Sequence, residues 1–238
     1  MAGGHYVALS GMRTRIDELD RLANDIANVG TAGYKAERTG QRAALRPLFD
    51  AALETAIDAS TGGRRLDARA GAIASTGRNL DVAIEGRGFL VVDMPQGVRY
   101  TRNGHLNRAE DGSLMTADGA VVRGVDGPIT VGTGALKVGD DGTVYSDGAV
   151  VGKLAIVEFK DPGALVRESG ALLRGAETPT PVALPTVRPG SLEQANISVV
   201  DRIAELTNVN RSFQALQKAV SVLMNDVDGK AIDSLGRR

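Results

Sequence analysis

Few residues in this chain have the type and spacing to do chemistry, and those few do not assemble into a site. The only histidines are His5 and His105. Neither lies near a clustered nucleophile or a set of metal-ligating side chains, so a surface or packed histidine is the better reading of each. Gly86-Arg87-Gly88 opens like a dinucleotide-binding turn, but the third glycine and the following helical pattern are missing, which leaves a turn between strands. Asp140-Asp141-Gly142 carries carboxylates suited to calcium. It lacks the alternating acidic positions and closing glutamate of an EF-hand loop, and reads as a hairpin turn. Asn196-Ile197-Ser198 and Asn210-Arg211-Ser212 fit the glycosylation sequon, but the second falls inside a predicted helix and both read as chance matches. No catalytic, cofactor-binding or metal-binding residue is assigned, and an enzyme is not expected.

Composition narrows the remaining classes. The 238 residues include 28 basic and 29 acidic side chains, a net charge of -1, which argues against a nucleic-acid or anionic-membrane surface. Four Tyr, four Phe and no Trp offer little as a stacking platform for a carbohydrate or other small ligand. The same scarcity predicts thin sheets and extended helices in place of one bulky core. Cysteine is absent, so neither disulfides nor thiolate metal sites hold the fold. No stretch of about 18 apolar residues is present to span a bilayer. No basic segment followed by an apolar run opens the chain, so a cleaved secretory signal is not expected.

The informative pattern is at the two ends. Leu9, Met12, Ile16, Leu19, Ala23 and Ile26 recur at alternating steps of three and four. So do Val209, Phe213, Leu216, Val220, Leu223 and Val227, with Ile203 and Leu206 extending the stripe upstream. This is the spacing of a coiled-coil seam, narrower than an ordinary core-facing stripe. It predicts terminal helices that pair with each other, or with neighbouring copies, as a coiled-coil-like layer. Helices that cap the β-domain as core are the plainer alternative.

Between the ends the period falls to two. Residues 1–35 are assigned to an N-terminal helix and its turn, the helix running from about Tyr6 to Asn28 and ending before Gly30-Thr31-Ala32-Gly33. Residues 36–79 read as a partly ordered linker, with a short amphipathic helix at Phe49 to Ile57. Over 80–178, strand candidates such as Val82-Ala83-Ile84 and Phe89-Leu90-Val91-Val92 alternate with five Asp-Gly turns, from Asp111-Gly112 to Asp147-Gly148. Asp-Gly favours tight hairpins whose two central residues have positive φ, so this is a central antiparallel all-β domain of short strands. Residues 179–197, with Pro179, Pro181, Pro185 and Pro189, form an extended connector. Residues 198–238 hold the second helix, from about Val199 to Val227, and a tail.

Three motifs in order carry a resemblance. Ala8-Leu9-Ser10-Gly11-Met12, Leu22-Ala23-Asn24-Asp25-Ile26-Ala27-Asn28-Val29 and Thr31-Ala32-Gly33-Tyr34-Lys35 form an N-terminal signature. Gly77 to Phe89 and Tyr100-Thr101-Arg102-Asn103-Gly104 form a central one, and Gly190-Ser191-Leu192-Glu193-Gln194-Ala195-Asn196-Ile197, followed by Arg211-Ser212-Phe213 and Lys218, a C-terminal one. Together they resemble bacterial flagellar rod and hook proteins. Asp25, Gly30 and Ala195 depart from the usual Asn, Asn or Ser, and Ser of that family. The resemblance implies a structural subunit of the basal-body rod that polymerises through its terminal helices, with a β-domain projecting outward. It implies other rod and hook-family subunits and further copies of itself as partners, export by the flagellar type III apparatus, and no cofactor, nucleic acid or small-molecule substrate. The short length points away from the hook protein and towards the proximal rod, with the distal rod, or a monomeric β-rich ligand-binding module, as the alternatives. The residues expected at the assembly interface are both apolar stripes together with Asn28 and Gly33. Gly33 is expected to take positive φ as a helix C-terminal signal.

Overall fold

Among the described residues, two α-helices, one short 3-10 helix at Pro162–Ala164 and a set of antiparallel sheets make up the chain. The computed structural model describes residues 2–39 and 64–235, with side chains described for 9–38 and 64–222. The helix expected at Phe49 to Ile57 lies outside the described residues. The chain divides into a helical unit containing both terminal helices and a β unit formed by residues 27–38 and 65–197.

The N-terminal helix spans Ala2–Ala27 and the C-terminal helix Val199–Leu235. Asn28 ends the first: its carbonyl accepts the Thr31 amide at 3.0 Å, and its side chain accepts the Thr31 hydroxyl at 3.3 Å. Ser198 opens the second, accepting the Asp201 amide on its hydroxyl at 3.4 Å. A carboxylate follows in the first turn, where the helix dipole favours it.

The expected coiled-coil-like layer is not formed. Leu9 and Ile16 are 58% and 45% exposed, Ala23 is exposed, and Ile203 is 51% exposed. The N-terminal helix buries Arg21, Leu22 and Asp25 instead. Asp25 sits 3.6 Å from Arg21 and 3.4 Å from Arg202. A knobs-into-holes seam needs apolar side chains at both repeating positions along its length. Here an ion cluster occupies one end, and apolar contact is local, with Leu216 packed over Gly11. On the C-terminal helix, Leu206, Val209, Phe213, Leu216 and Val220 form the less exposed stripe, continued upstream by Arg202 and not by Ile203. Met12, Leu19 and Ile26 are half-buried. The side chains of Leu223 and Val227 lie outside the described residues.

In the β unit, the main sheet runs through Val166–Ser169, Leu172–Arg174, Gly97–Thr101, Phe89–Met94, Val121–Gly124, Leu114–Thr116 and Leu106–Arg108. Phe89–Met94 is its centre, and explains why that segment is apolar without alternation. Leu90 and Val92 enter one core with Val82, Leu106, Leu114, Val122 and Leu154. Phe89 and Val91 enter a second with Tyr100, Phe159, Leu165 and Leu173. Both faces are covered, so both alternating sets must be apolar. Three of the eight aromatics meet in the second core, where Phe159 contacts Phe89 and Tyr100 edge-on at 5.9 and 4.8 Å.

Two expectations are refined. Of the five Asp-Gly turns, only Asp147-Gly148 has both residues at positive φ, 50° and 82°. At Asp111 and Asp141 the carboxylate instead accepts the amide two residues on, from Ser113 at 2.9 Å and Thr143 at 3.0 Å. Such Asx turns leave only the glycine left-handed. The proline-rich segment is extended, but it is also paired: Thr186–Pro189 runs antiparallel to Val82–Glu85, and Ser191–Glu193 to Ile73–Ser75. Ile73–Ser75 is thus a strand within the interval read as linker.

Candidate functional site

The three signature motifs converge on one buried ionic junction inside the β unit. Strand pairing of Ser191–Glu193 with Ile73–Ser75 turns the Glu193 side chain inward. Its carboxylate receives the Lys35 ammonium on one oxygen and Arg102 Nη1 on the other, the latter at 3.0 Å. The Gly71 amide adds a third donor at 2.8 Å. Lys35, Arg102 and Glu193 are all buried. Lys35 also donates to the Arg69 carbonyl at 2.7 Å. Arg102 donates to the carbonyls of Ile84 at 3.1 Å and Gly86 at 2.6 Å, and lies 5.3 Å from the Phe89 ring centre. The Gly86-Arg87-Gly88 turn therefore supplies a carbonyl to the junction, a structural use for a motif that only began like a phosphate loop.

A second layer closes around it. The Asn196 side chain accepts the Ala36 amide at 2.7 Å and donates to the carbonyls of Asp67 and Arg69 at 2.8 and 3.0 Å. The Arg167 guanidinium stacks on Tyr34 at 4.0 Å and donates to its hydroxyl and to the Lys35 carbonyl. Burial pushes the Lys35 ammonium below its ordinary pKa, against the opposing pull of Glu193. It pushes Arg102 down likewise. For Asp67, burial would raise the carboxyl, but hydrogen bonds from Arg69 and the charge of Arg38 outweigh it and hold the group below 3.8.

Gly33 belongs to this junction. Its φ is +68°, as expected, but it lies beyond the end of the helix and is not a helix C-terminal signal. Its amide donates to the Glu193 carbonyl at 2.7 Å, and a Cβ there would overlap the Arg102 backbone. Close approach of two backbones is what demands glycine. The apolar residues expected at the interface lie on the two terminal helices, away from this cluster in the sequence. Lys35, Arg102, Glu193, Asp67 and Asn196 were not singled out by periodicity, although four of the five lie within the quoted signatures. His105 is placed structurally, 3.0 Å from the buried Asp81 carboxylate and beside Arg78. The geometry holds three distant segments together.

Three measurements test this junction. Glu193→Gln removes the anion that two buried cations share, and should cost about 3–5 kcal/mol of unfolding free energy in denaturant titration. Gly33→Val adds strain and overlap, and should lower the thermal midpoint of the β unit, where a mere loop glycine would leave it unchanged. For Asp67, the lowered folded pKa gives a stability contribution that is full above 3.8 and lost as pH falls through the folded value. The stability gap between wild type and Asp67→Asn should therefore be flat at neutral pH and shrink below pH 3.8.

The sequence pattern of the flagellar hook protein FlgE/F/G D1 domain matches residues 83–149, within the β unit. The flagellar basal-body rod protein FlgF of Caulobacter vibrioides is 33% identical, over 98% of this chain and 97% of the relative. FlgF of Rhizobium meliloti is 32% identical over 99% of each. The rod protein FlgG of Bacillus subtilis is 29% identical, over 91% of this chain and 93% of that one. With matches of this extent along nearly the whole length of both partners, the chain belongs to the flagellar basal-body rod protein family.

Proposed function

We propose that the chain is a structural, non-enzymatic subunit of the flagellar basal-body rod, placed in its proximal part and exported unfolded by the flagellar type III apparatus. The observation that carries this reading is whole-length similarity to FlgF relatives. A distal position is the second reading, favoured by the FlgG relative matched over most of its length. The subunit assembles with copies of itself and with other rod and hook-family subunits, through the apolar stripes of its terminal helices. Residues Leu9, Ile16 and Ile203, exposed on the single chain, are positions that a neighbour gains by covering.

Deleting the gene and purifying basal bodies tests the reading, since motility and the rod should be lost together and return with the wild-type gene. Leu216→Asp sharpens it. That residue packs over Gly11, and a carboxylate there is costly unless it reaches water. Secretion should persist while the protein disappears from purified basal bodies. Normal levels of the variant in basal bodies would overturn a role for the helix stripes.

A further inference from the structure

Strands of the β unit fall into two sets that find their partners differently. Every strand from Phe89–Met94 to Leu172–Arg174 has a partner inside that interval. The same interval supplies most of both cores: among the described residues, all of the first except Val82, Ile84 and Val187, and all of the second except Leu66. The flanking strands are paired otherwise. Ile73–Ser75 pairs with Ser191–Glu193, and Val82–Glu85 with Thr186–Pro189, each as a two-stranded ribbon. Glu37–Thr39 and Arg64–Leu66 make a third. A ribbon of two strands is marginal in water by itself.

One short segment, residues 186–196, fastens the flanking strands to one another. Its Gly190 amide donates to the Asp81 carbonyl at 2.8 Å, and its Gly190 carbonyl accepts the Thr76 amide at 2.7 Å. The Gln194 amide donates to Ala72 at 2.8 Å and the Asn196 amide to Tyr34 at 3.3 Å. The Glu193 carboxylate adds Lys35 and Arg102, which without it would share no anion in a buried setting. Glu193 lies 158 positions from Lys35, so closing this contact in an open chain costs considerable entropy. The central strands lower that cost. Val157 pairs with Phe89 on one side and Pro181 on the other, which brings those two within about 10 Å. Only short segments then remain to close the Glu85–Thr186 pair.

We propose that residues 186–196 are a strap that closes last, with Glu193 as its clasp. The central strands fold first, and the strap then fixes residues 33–38 and 64–85 in a single step. The leading and trailing segments of the β unit are therefore fixed together or not at all. On the export reading above, on which this use rests, a threaded chain cannot complete its β unit until both segments have passed. The closing step itself does not depend on that reading.

Native-state hydrogen exchange of the full chain in low denaturant tests the order of closing. The hydrogen-bonded amides of Gly33, Asp67, Thr76, Gly190, Gln194 and Asn196 should exchange together through one partial opening. They should do so about tenfold or more faster than those of Val91, Leu114, Thr116 and Ala155, which wait for global unfolding. A disulfide supplies a lock, since the chain has no cysteine of its own. Ser75 and Ser191 are direct partners, and the hydrogen bond falls on the next pair, Thr76 and Gly190. Theirs is thus the narrow pair of the ladder, at a spacing that suits a disulfide. In oxidised Ser75→Cys/Ser191→Cys chains the first set should slow about tenfold or more, and reduction should reverse the change. Equal rates and equal denaturant dependence for the two sets in the wild type overturn the proposal. So does protection of Gly33 and Asp67 while Gly190 and Gln194 open, or a lock that leaves Gly33 and Asp67 unchanged. Retention of the wild-type chain inside export-competent cells would overturn the export reading and leave the strap standing.

Discussion

One buried carboxylate organises the β unit. Glu193 is surrounded by Lys35, Arg102 and the Gly71 amide, groups that reach it from across the sequence. Two cations and one anion out of water are expensive unless donors and acceptors are met. They are met here largely by backbone carbonyls of Arg69, Ile84 and Gly86. Such a cluster contributes less to net stability than to uniqueness, because any other register leaves a charge unpaired in an apolar setting. That is a useful property for a segment whose ends lead to two different helices.

The same logic runs through the helical unit on a smaller scale. Asp25 is buried between Arg21 and Arg202. A carboxylate at that point explains why the inner stripe of the C-terminal helix continues through Arg202 instead of Ile203. It also explains why the terminal helices do not close into an apolar seam. Their aliphatic residues are divided: Leu22 and Val209 are buried within the chain, whereas Leu9, Ile16 and Ile203 face outward. A subunit whose apolar helix surface is only partly used by itself retains surface for its neighbours.

The strand pattern shows where local chemistry is reliable. Asp-Gly marked each turn it was expected to mark, since glycine accepts positive φ whatever surrounds it. The turn type was less legible. At Asp111 and Asp141 a side-chain acceptor two residues before a free amide wins over the tighter hairpin. Prolines fixed an extended path for residues 179–197, but extension does not reveal pairing. Whether such a path is a tether or an edge strand depends on which strand lies alongside, here Val82–Glu85.

By itself the sequence determined the helical ends, the antiparallel middle, the turn glycines and, through its three signatures, the family. Those features are local: periodicity, φ preference and motif order are properties of neighbouring residues. Tertiary structure alone decided which helix residues are buried, that Gly33 serves a backbone crossing, and that Lys35, Arg102 and Glu193 form a single cluster. In sequence this lysine is indistinguishable from a solvated one, because its ion-pair partner, Glu193, lies 158 positions away. Charge pairing at that range is fixed only when the sheets have closed around it.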